Sequence, residues 1–454
     1  MAGVRAPRVL AFVASTSIAA CAAGETPTAV SGDDASSPEL VEDAGPCTHL
    51  ECQQVDCAAR GLPDTTLTGV VYDPAGVMPL YNVFVYVPNG KPEPITPGHP
   101  TCSACQAVAS GSPLVWTTTD ATGTFHLAHV PSGDSIPLVL QAGKWRRQIV
   151  VPHVGACTAN SLTDPNLVRL PAKSSEGDMP LIALATGCDA EECFLRDVGI
   201  DPSEFTGPGG GGHVHVYGGR YAGMVVPGIG DAYALWASSE RLAQYDVVMA
   251  ACECQVFPRD TEGPAYAAMR TYLDGGGRLY TTHYQYNWFA PPTGPADFQS
   301  MAEWNDDGPG GSGTFFVDTS FPKGHAFADW LEANHFSPAY GQVNLTDARA
   351  SVAAVTGATR WVYGAADPTA TTYSTKYLSF NTPIGAPVAS QCGRATFSDA
   401  HVSGESDAPG PFPSECAART DVHGADERAL EFLLFDLVSC IQDDSQPPPP
   451  PPTQ

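Results

Sequence analysis

The chain has 454 residues, a formal net charge of −27 and 43% hydrophobic residues. That length allows two medium domains with ample core, and the acidic balance excludes nucleic acid and anionic lipid surfaces as charge-driven partners. It opens with Arg5 and Arg8, followed by a small apolar run from Val9 to Ala20, the pattern of an export signal. About a dozen apolar residues are too few to span a bilayer, which takes roughly 20. Residues 1–20 are therefore expected to be a removable signal peptide.

Ile18-Ala19-Ala20-Cys21 looks like a lipobox, in which small residues precede a cysteine that carries diacylglycerol after cleavage. Cys21 is the expected lipidation site, with an ordinary secretory cut near Ala20 or Ala22 as the alternative. Ala22 is not the aspartate that marks inner-membrane retention in Gram-negative lipoproteins, so a cell-envelope location with outer-membrane attachment is favoured, the membrane being a partner through the lipid alone. Residues 21–46 are acidic, lack apolar periodicity and read as a flexible linker. Fourteen cysteines in an exported chain point to disulfides. The odd one left after Cys21 is expected in the second half, where Cys252-Glu-Cys254 is either a redox pair or part of a structural disulfide to Cys188 or Cys193. Cys102-Ser-Ala-Cys105 has the spacing of half a zinc knuckle, but the compartment favours disulfides.

From Thr65 to about Leu170, short alternating runs separated by Gly, Pro, Asp and Asn read as antiparallel strands of a β-sandwich. The runs are Leu67–Asp73, Leu80–Val87 and a hairpin over Thr117–Leu127, with a proline-rich loop over 88–112 stapled by cysteines. "TGVVYD", "PLYNVFVYV" and "TDATGTF" resemble the carboxypeptidase regulatory-like domain. That resemblance implies a prealbumin-like sandwich over residues 47–172, grouped with starch-binding-like folds, and sugar or protein binding instead of peptidase activity. No His-Glu-x-x-His occurs, so the zinc peptidase reading fails. Asp73 and Asp120 read as turn caps before glycines.

After residues 173–178 the pattern changes to strand Leu181–Thr186, helix Ala190–Val198, strand Tyr245–Ala251, helix Pro264–Leu273, strand Arg278–Thr282 and a closing helix Asp426–Cys440. This alternation argues a flavodoxin-like parallel sheet with helices on both faces, over residues 178–442, with 443–454 a proline-rich tail. "YDVVMAACEC", "AMRTYLDGGGRLYTTHYQYNWF" and "CGRATFSDAHVSG" resemble the class I glutamine amidotransferase-like fold, especially its ThuA-like branch. The resemblance places His283 where amidotransferases keep their nucleophile, with His401 as a second histidine after a late strand. No Gly-x-Cys-x-Gly elbow is present, so amidotransferase chemistry has no thiol nucleophile on the expected turn.

Strand ends in such sheets are where ligands bind. Tyr284, Tyr286 and Trp288 crowd around His283 and read either as a sugar-stacking surface or as an aromatic core beneath a long loop. His213 and His215 alternate as a metal pair would on one strand face, and Asp399 and His401 repeat that spacing. Together with His283 they form a candidate divalent-metal set, with Glu253 or Asp399 as a base. No complete catalytic set is found and no cofactor is required. The reading is a non-catalytic binding protein for carbohydrate or a cell-surface ligand. A metal-dependent hydrolase acting on glycans and a structural or adhesive surface protein are its rivals.

Overall fold

The computed structural model describes residues 47–102, 109–220, 222, 226–257, 264–305, 310–365, 371–402, 412–418 and 424–449. The export signal, Cys21, the acidic linker, Cys105 and the end of the proline tail lie outside them. Apolar alternation in the first third produces β1 (Thr66–Val70), β2 (Phe84–Pro88), β3 (Pro113–Thr118), β4 (Thr124–Leu127), β5 (Gly133–Ala142), β6 (Trp145–Val154) and β7 (Ala159–Leu162). They form two sheets, ordered β4-β1-β7 and β3-β2-β5-β6, and side chains from both enter one apolar cluster, among them Leu67, Leu127, Val85, Leu138 and Val151.

The hairpin expected over Thr117–Leu127 does not form. β3 pairs with β2 and β4 with β1, so the chain passes from one sheet to the other at the turn that Asp120 caps, accepting from the backbone N–H of Thr122 and Thr124. Asp73 caps its own turn in the same way, through the N–H of Val77 at 2.7 Å.

The second part adds β8 (Ile182–Thr186), β9 (Phe205–Thr206), β10 (Val214–Gly218), β11 (Gly230–Asp231), β12 (Val247–Ala250), β13 (Arg278–Thr282), β14 (Ala302–Trp304), β15 (Gly311–Val317), β16 (Gln342–Ala348), β17 (Val352–Val355), β18 (Thr359–Ala365), β19 (Tyr373–Thr382) and β20 (Gly393–Ser398). Its helices are α1 (Glu191–Asp197), α2 (Ala232–Trp236), α3 (Ser239–Leu242), α4 (Pro264–Asp274), α5 (Ala296–Gln299), α6 (Pro322–Ala333) and α7 (Ala425–Val438). The expected strands and helices around α1, β12, α4, β13 and α7 fall within a few residues of these bounds. The sheet they enter is mixed. Its order is β11-β10-β8-β12-β13-β20-β19-β18-β15-β16, with β9 beside β10. The run from β11 to β20 is parallel, and β19, β18, β15 and β16 extend it antiparallel.

The join between the two parts is packed. Residues 173–178 are tied down where Arg146 bonds Asp178 at 2.7 Å, and Trp145 packs at a tilt against Phe435 of α7 with ring centroids 5.5 Å apart. Cys102 pairs with Cys392, 290 residues away, so the proline-rich loop is stapled to the second part instead of to itself. Asp444, expected in a free tail, is buried in a network with Arg394 and Lys323 at 3.0 and 3.1 Å. No described helix is long and apolar enough to cross a membrane.

Candidate functional site

Two features of the large sheet collect chemistry. The first lies beyond the C-terminal ends of β12, β13 and β20. Helix α4 delivers the chain to β13: Ala265, Met269, Tyr272 and Leu273 are buried at helical spacing, and the helix ends in Gly275-Gly276-Gly277. Gly276 sits at φ +107, and a Cβ at Gly277 would lie 2.3 Å from the Tyr272 ring, so only glycine permits this close return into β13. β13 then ends at Thr282, and His283 takes φ +36 as the chain turns away. That left-handed backbone is uncommon for a side chain of this size and marks the turn as one held by its surroundings.

The side chains around this turn converge. Cys252, just after β12, has its thiol 3.4 Å from Nδ1 of His283. The imidazole of His401, just after β20, lies with its ring centroid 4.3 Å from that of His283. One donor atom from each of Cys252, His283 and His401 lies within 4.8 Å of the others. Nδ1 of His401 bonds the Asp189 carboxylate at 2.7 Å, the second Asp189 oxygen accepts from the Thr282 hydroxyl at 2.7 Å, and that hydroxyl accepts from the Cys252 N–H at 2.9 Å. Asp347, also left-handed at φ +44, approaches Nε2 of His401 to 3.6 Å from the solvent side.

Electrostatics follow from burial. Burial pushes the Cys252 thiol up, as does the Asp189 carboxylate, against a weaker pull from His401, so the thiol is a neutral and poor nucleophile. Burial disfavours a charged His401, but the Asp189 carboxylate overrides it and holds the imidazolium up to about 11. Glu191, fully buried 3.4 Å from the Thr282 hydroxyl, is pushed well above the usual carboxylate range by burial and by Asp189 and Glu192.

The metal set expected from the sequence does not assemble. His213 bonds Glu204 at 3.0 Å, and His215 bonds the Tyr245 hydroxyl at 2.9 Å. Both lie at the start of β10, three strands from β13, and at about 4.8 Å per strand that is roughly 14 Å sideways before any distance along the strands. Asp399 accepts from the backbone N–H of Ser351 at 2.6 Å, and Glu253 accepts from that of Arg220 at 2.6 Å, so both carboxylates brace loops. The aromatic run resolves mostly as core: Tyr286 and Trp288 are buried, with Trp288 packed edge-on against Trp236 and Tyr266 at 5.3 Å each. They offer no face for sugar stacking, and Tyr284, half-buried against His283, is what remains of that surface. Sequence reading left Cys252 and Cys254 together, as a redox pair or as part of a disulfide to Cys188 or Cys193, and so did not single out Cys252 as a site residue. Cys188 does pair with Cys254, and Cys252 is the free thiol among the described residues. A cavity lined by Lys144, Asp246 and Arg278 sits at the opposite ends of the parallel strands, away from this cluster.

The second feature is on the antiparallel extension. Phe316 on β15, Tyr363 on β18 and Tyr373 on β19 form a triangle with centroids 5.7, 6.0 and 5.9 Å apart. Phe316 is 36% and Tyr373 59% exposed. The Arg360 guanidinium lies 3.8 Å from the Tyr363 ring centroid while paired with Asp318 at 2.7 Å. Thr314, two residues before Phe316 and on the same face, bonds Asn344 of β16 at 2.7 Å, and Gln342 stands opposite Phe316 in register.

No protein-family profile matches the chain, and no curated protein matches it. Among solved structures it is similar to a putative ThuA-like protein from Bacteroides uniformis at 10% identity, covering 56% of this chain and 89% of that one, with a TM-score of 0.32. It is also similar to a type II cohesin–X-dockerin complex from Acetivibrio cellulolyticus at 16% identity, covering 30% of this chain and 85% of that one, with a TM-score of 0.18. The carboxypeptidase regulatory-like resemblance of the first part rests on its sequence motifs. The disulfides Cys47–Cys52, Cys57–Cys157, Cys102–Cys392, Cys188–Cys254 and Cys193–Cys416 point to an oxidising compartment, extracellular or periplasmic.

Proposed function

We propose that the chain is a carbohydrate-binding protein of the bacterial cell envelope, lipid-anchored at Cys21, with a prealbumin-like sandwich and a flavodoxin-like part, and that sugars stack on the strip of Phe316, Tyr363 and Tyr373. The observation that carries this is an aromatic triangle on one sheet face, with Phe316 and Tyr373 exposed and Tyr363 half-buried between them and Arg360, rimmed by uncharged Thr314, Asn344 and Gln342. Aromatic rings cover the C–H faces of sugars, and amides and hydroxyls meet the hydroxyl rim. Arg360 is neutralised by Asp318, so the strip has no net charge with which to select an anionic partner. Its size favours a small ligand: three partly exposed rings at roughly 150–250 Å² each when fully buried fall short of the about 800 Å² per side that a stable protein interface needs.

The test is calorimetric titration of the oxidised chain with a panel of soluble oligosaccharides: maltohexaose, cellohexaose and peptidoglycan fragments. At least one is expected to bind, with affinity reduced about threefold to tenfold by Tyr373→Ala, the equivalent of about 0.5–1.5 kcal/mol for one aromatic contact. Binding of none, or binding indifferent to Tyr373→Ala and Phe316→Ala, overturns the reading.

A further inference from the structure

We propose that Cys252, His283 and His401 hold a borderline-soft divalent transition-metal ion, zinc or copper, with Asp347 facing the remaining position. Thiolate and imidazole together are the donor set such ions prefer over magnesium or calcium. In a tetrahedral site with a metal–sulfur bond of about 2.3 Å and a metal–nitrogen bond of about 2.05 Å, neighbouring sulfur and nitrogen donors are about 3.5 Å apart. Cys252 Sγ and His283 Nδ1 are already 3.4 Å apart, and the 4.8 Å limit on the three donors leaves only a small side-chain closure to complete the triangle. The Nε2 of His401 to Asp347 distance of 3.6 Å is the length of another such edge.

The surroundings are those of a metal ligand shell. Asp189 occupies Nδ1 of His401, which orients the ring and leaves Nε2 as the donor, the carboxylate–histidine arrangement found behind metal-bound imidazoles. Thr282 links Asp189 back to the backbone of Cys252, so one chain of hydrogen bonds fixes two of the three ligands. His283 and Asp347 both hold left-handed backbones, as residues at functional sites often do. The Cys188–Cys254 disulfide occupies the neighbouring sulfurs and leaves Cys252 as the available thiol. Ion binding releases the thiol proton and the Nε2 proton of His401 to solvent. Cys252 and His283 are inaccessible, so approach is from the His401 and Asp347 side, where Arg349 lies 3.5 Å from the Asp347 carboxylate.

The experiment uses the full soluble chain, chelator-treated and kept oxidised, titrated separately with Co²⁺, Zn²⁺ and Cu²⁺. One equivalent of Co²⁺ is expected to give a sulfur-to-cobalt charge-transfer band together with the strong visible bands of a four-coordinate site, both abolished by added Zn²⁺. Cu²⁺ is expected to give an intense visible sulfur-to-copper band at the same one-to-one stoichiometry and to displace Co²⁺. Cys252→Ser is expected to remove the charge-transfer band, and His213→Ala to leave it unchanged. Asp189→Asn, which keeps every ligand, is expected to weaken Co²⁺ binding about 10- to 100-fold, and it serves if Cys252→Ser fails to fold. No charge-transfer band in the wild-type chain, or affinity unchanged in Asp189→Asn, overturns the proposal.

Discussion

The parallel and antiparallel halves of the large sheet solve the same packing problem differently. In the parallel half, strands from β10 to β20 are covered, and most of their side chains are buried. Where the strands end, Cys252, His283 and His401 converge because β12, β13 and β20 run side by side in the same direction. On the outer antiparallel strands β15 and β16 one face stays open, and alternation along β15 puts Thr314 and Phe316 outside while Phe315 and Val317 go in. A parallel sheet thus concentrates donors at a point, and an antiparallel one displays a surface.

The largest effect expected from this contrast is at Trp288. If it belongs to the covered half, Trp288→Ala costs about 3–5 kcal/mol of stability and leaves the sugar affinity of the folded fraction unchanged. Chemical denaturation followed by titration checks both. A mild loss of stability with lost sugar binding would return the aromatic run to the ligand surface.

A smaller effect belongs to the buried join that covers the parallel half. Burial pushes the carboxyls of Asp73 and of Glu431 on α7 above the usual carboxylate range, each raising the other, with Arg428, bonded to Glu431, pulling the other way. Both are raised in the folded state, so the folded chain holds more protons than the unfolded one. This contribution is full below the ordinary carboxylate range and is lost as pH rises through the raised values. Melting temperature is therefore expected to fall between pH 5 and pH 9, and Glu431→Gln is expected to flatten that slope. An equal slope in the variant would place the pH dependence elsewhere. Smallest of all, Tyr373→Ala on the open half is expected to change stability by less than about 0.5 kcal/mol, as at other surface positions.

Sequence legibility followed the same division. Periodicity and glycines located β8, α1, β12, α4, β13 and α7 because buried parallel strands and amphipathic helices write themselves locally. The candidate-site histidines His283 and His401 were legible through the ThuA-like resemblance, which places each after a strand. Cys252 was not, since its freedom depends on Cys188 meeting Cys254, and Asp189 was not, since its link to His401 spans 212 residues. His213 and His215 misled because their spacing fits a metal pair, whereas the strand order sets them beside Glu204 and Tyr245. The aromatic triangle was invisible because Phe316, Tyr363 and Tyr373 come from three strands joined only by antiparallel register.

The measurement that most directly tests the account is oligosaccharide titration of three chains side by side: wild type, the double variant Phe316→Ala with Tyr373→Ala, and Cys252→Ser. Binding by the wild type and by Cys252→Ser, with none by the double variant, is the result expected if the open half carries sugar recognition. Full binding by the double variant, or loss on Cys252→Ser with its fold intact, would contradict it and move recognition to the strand ends.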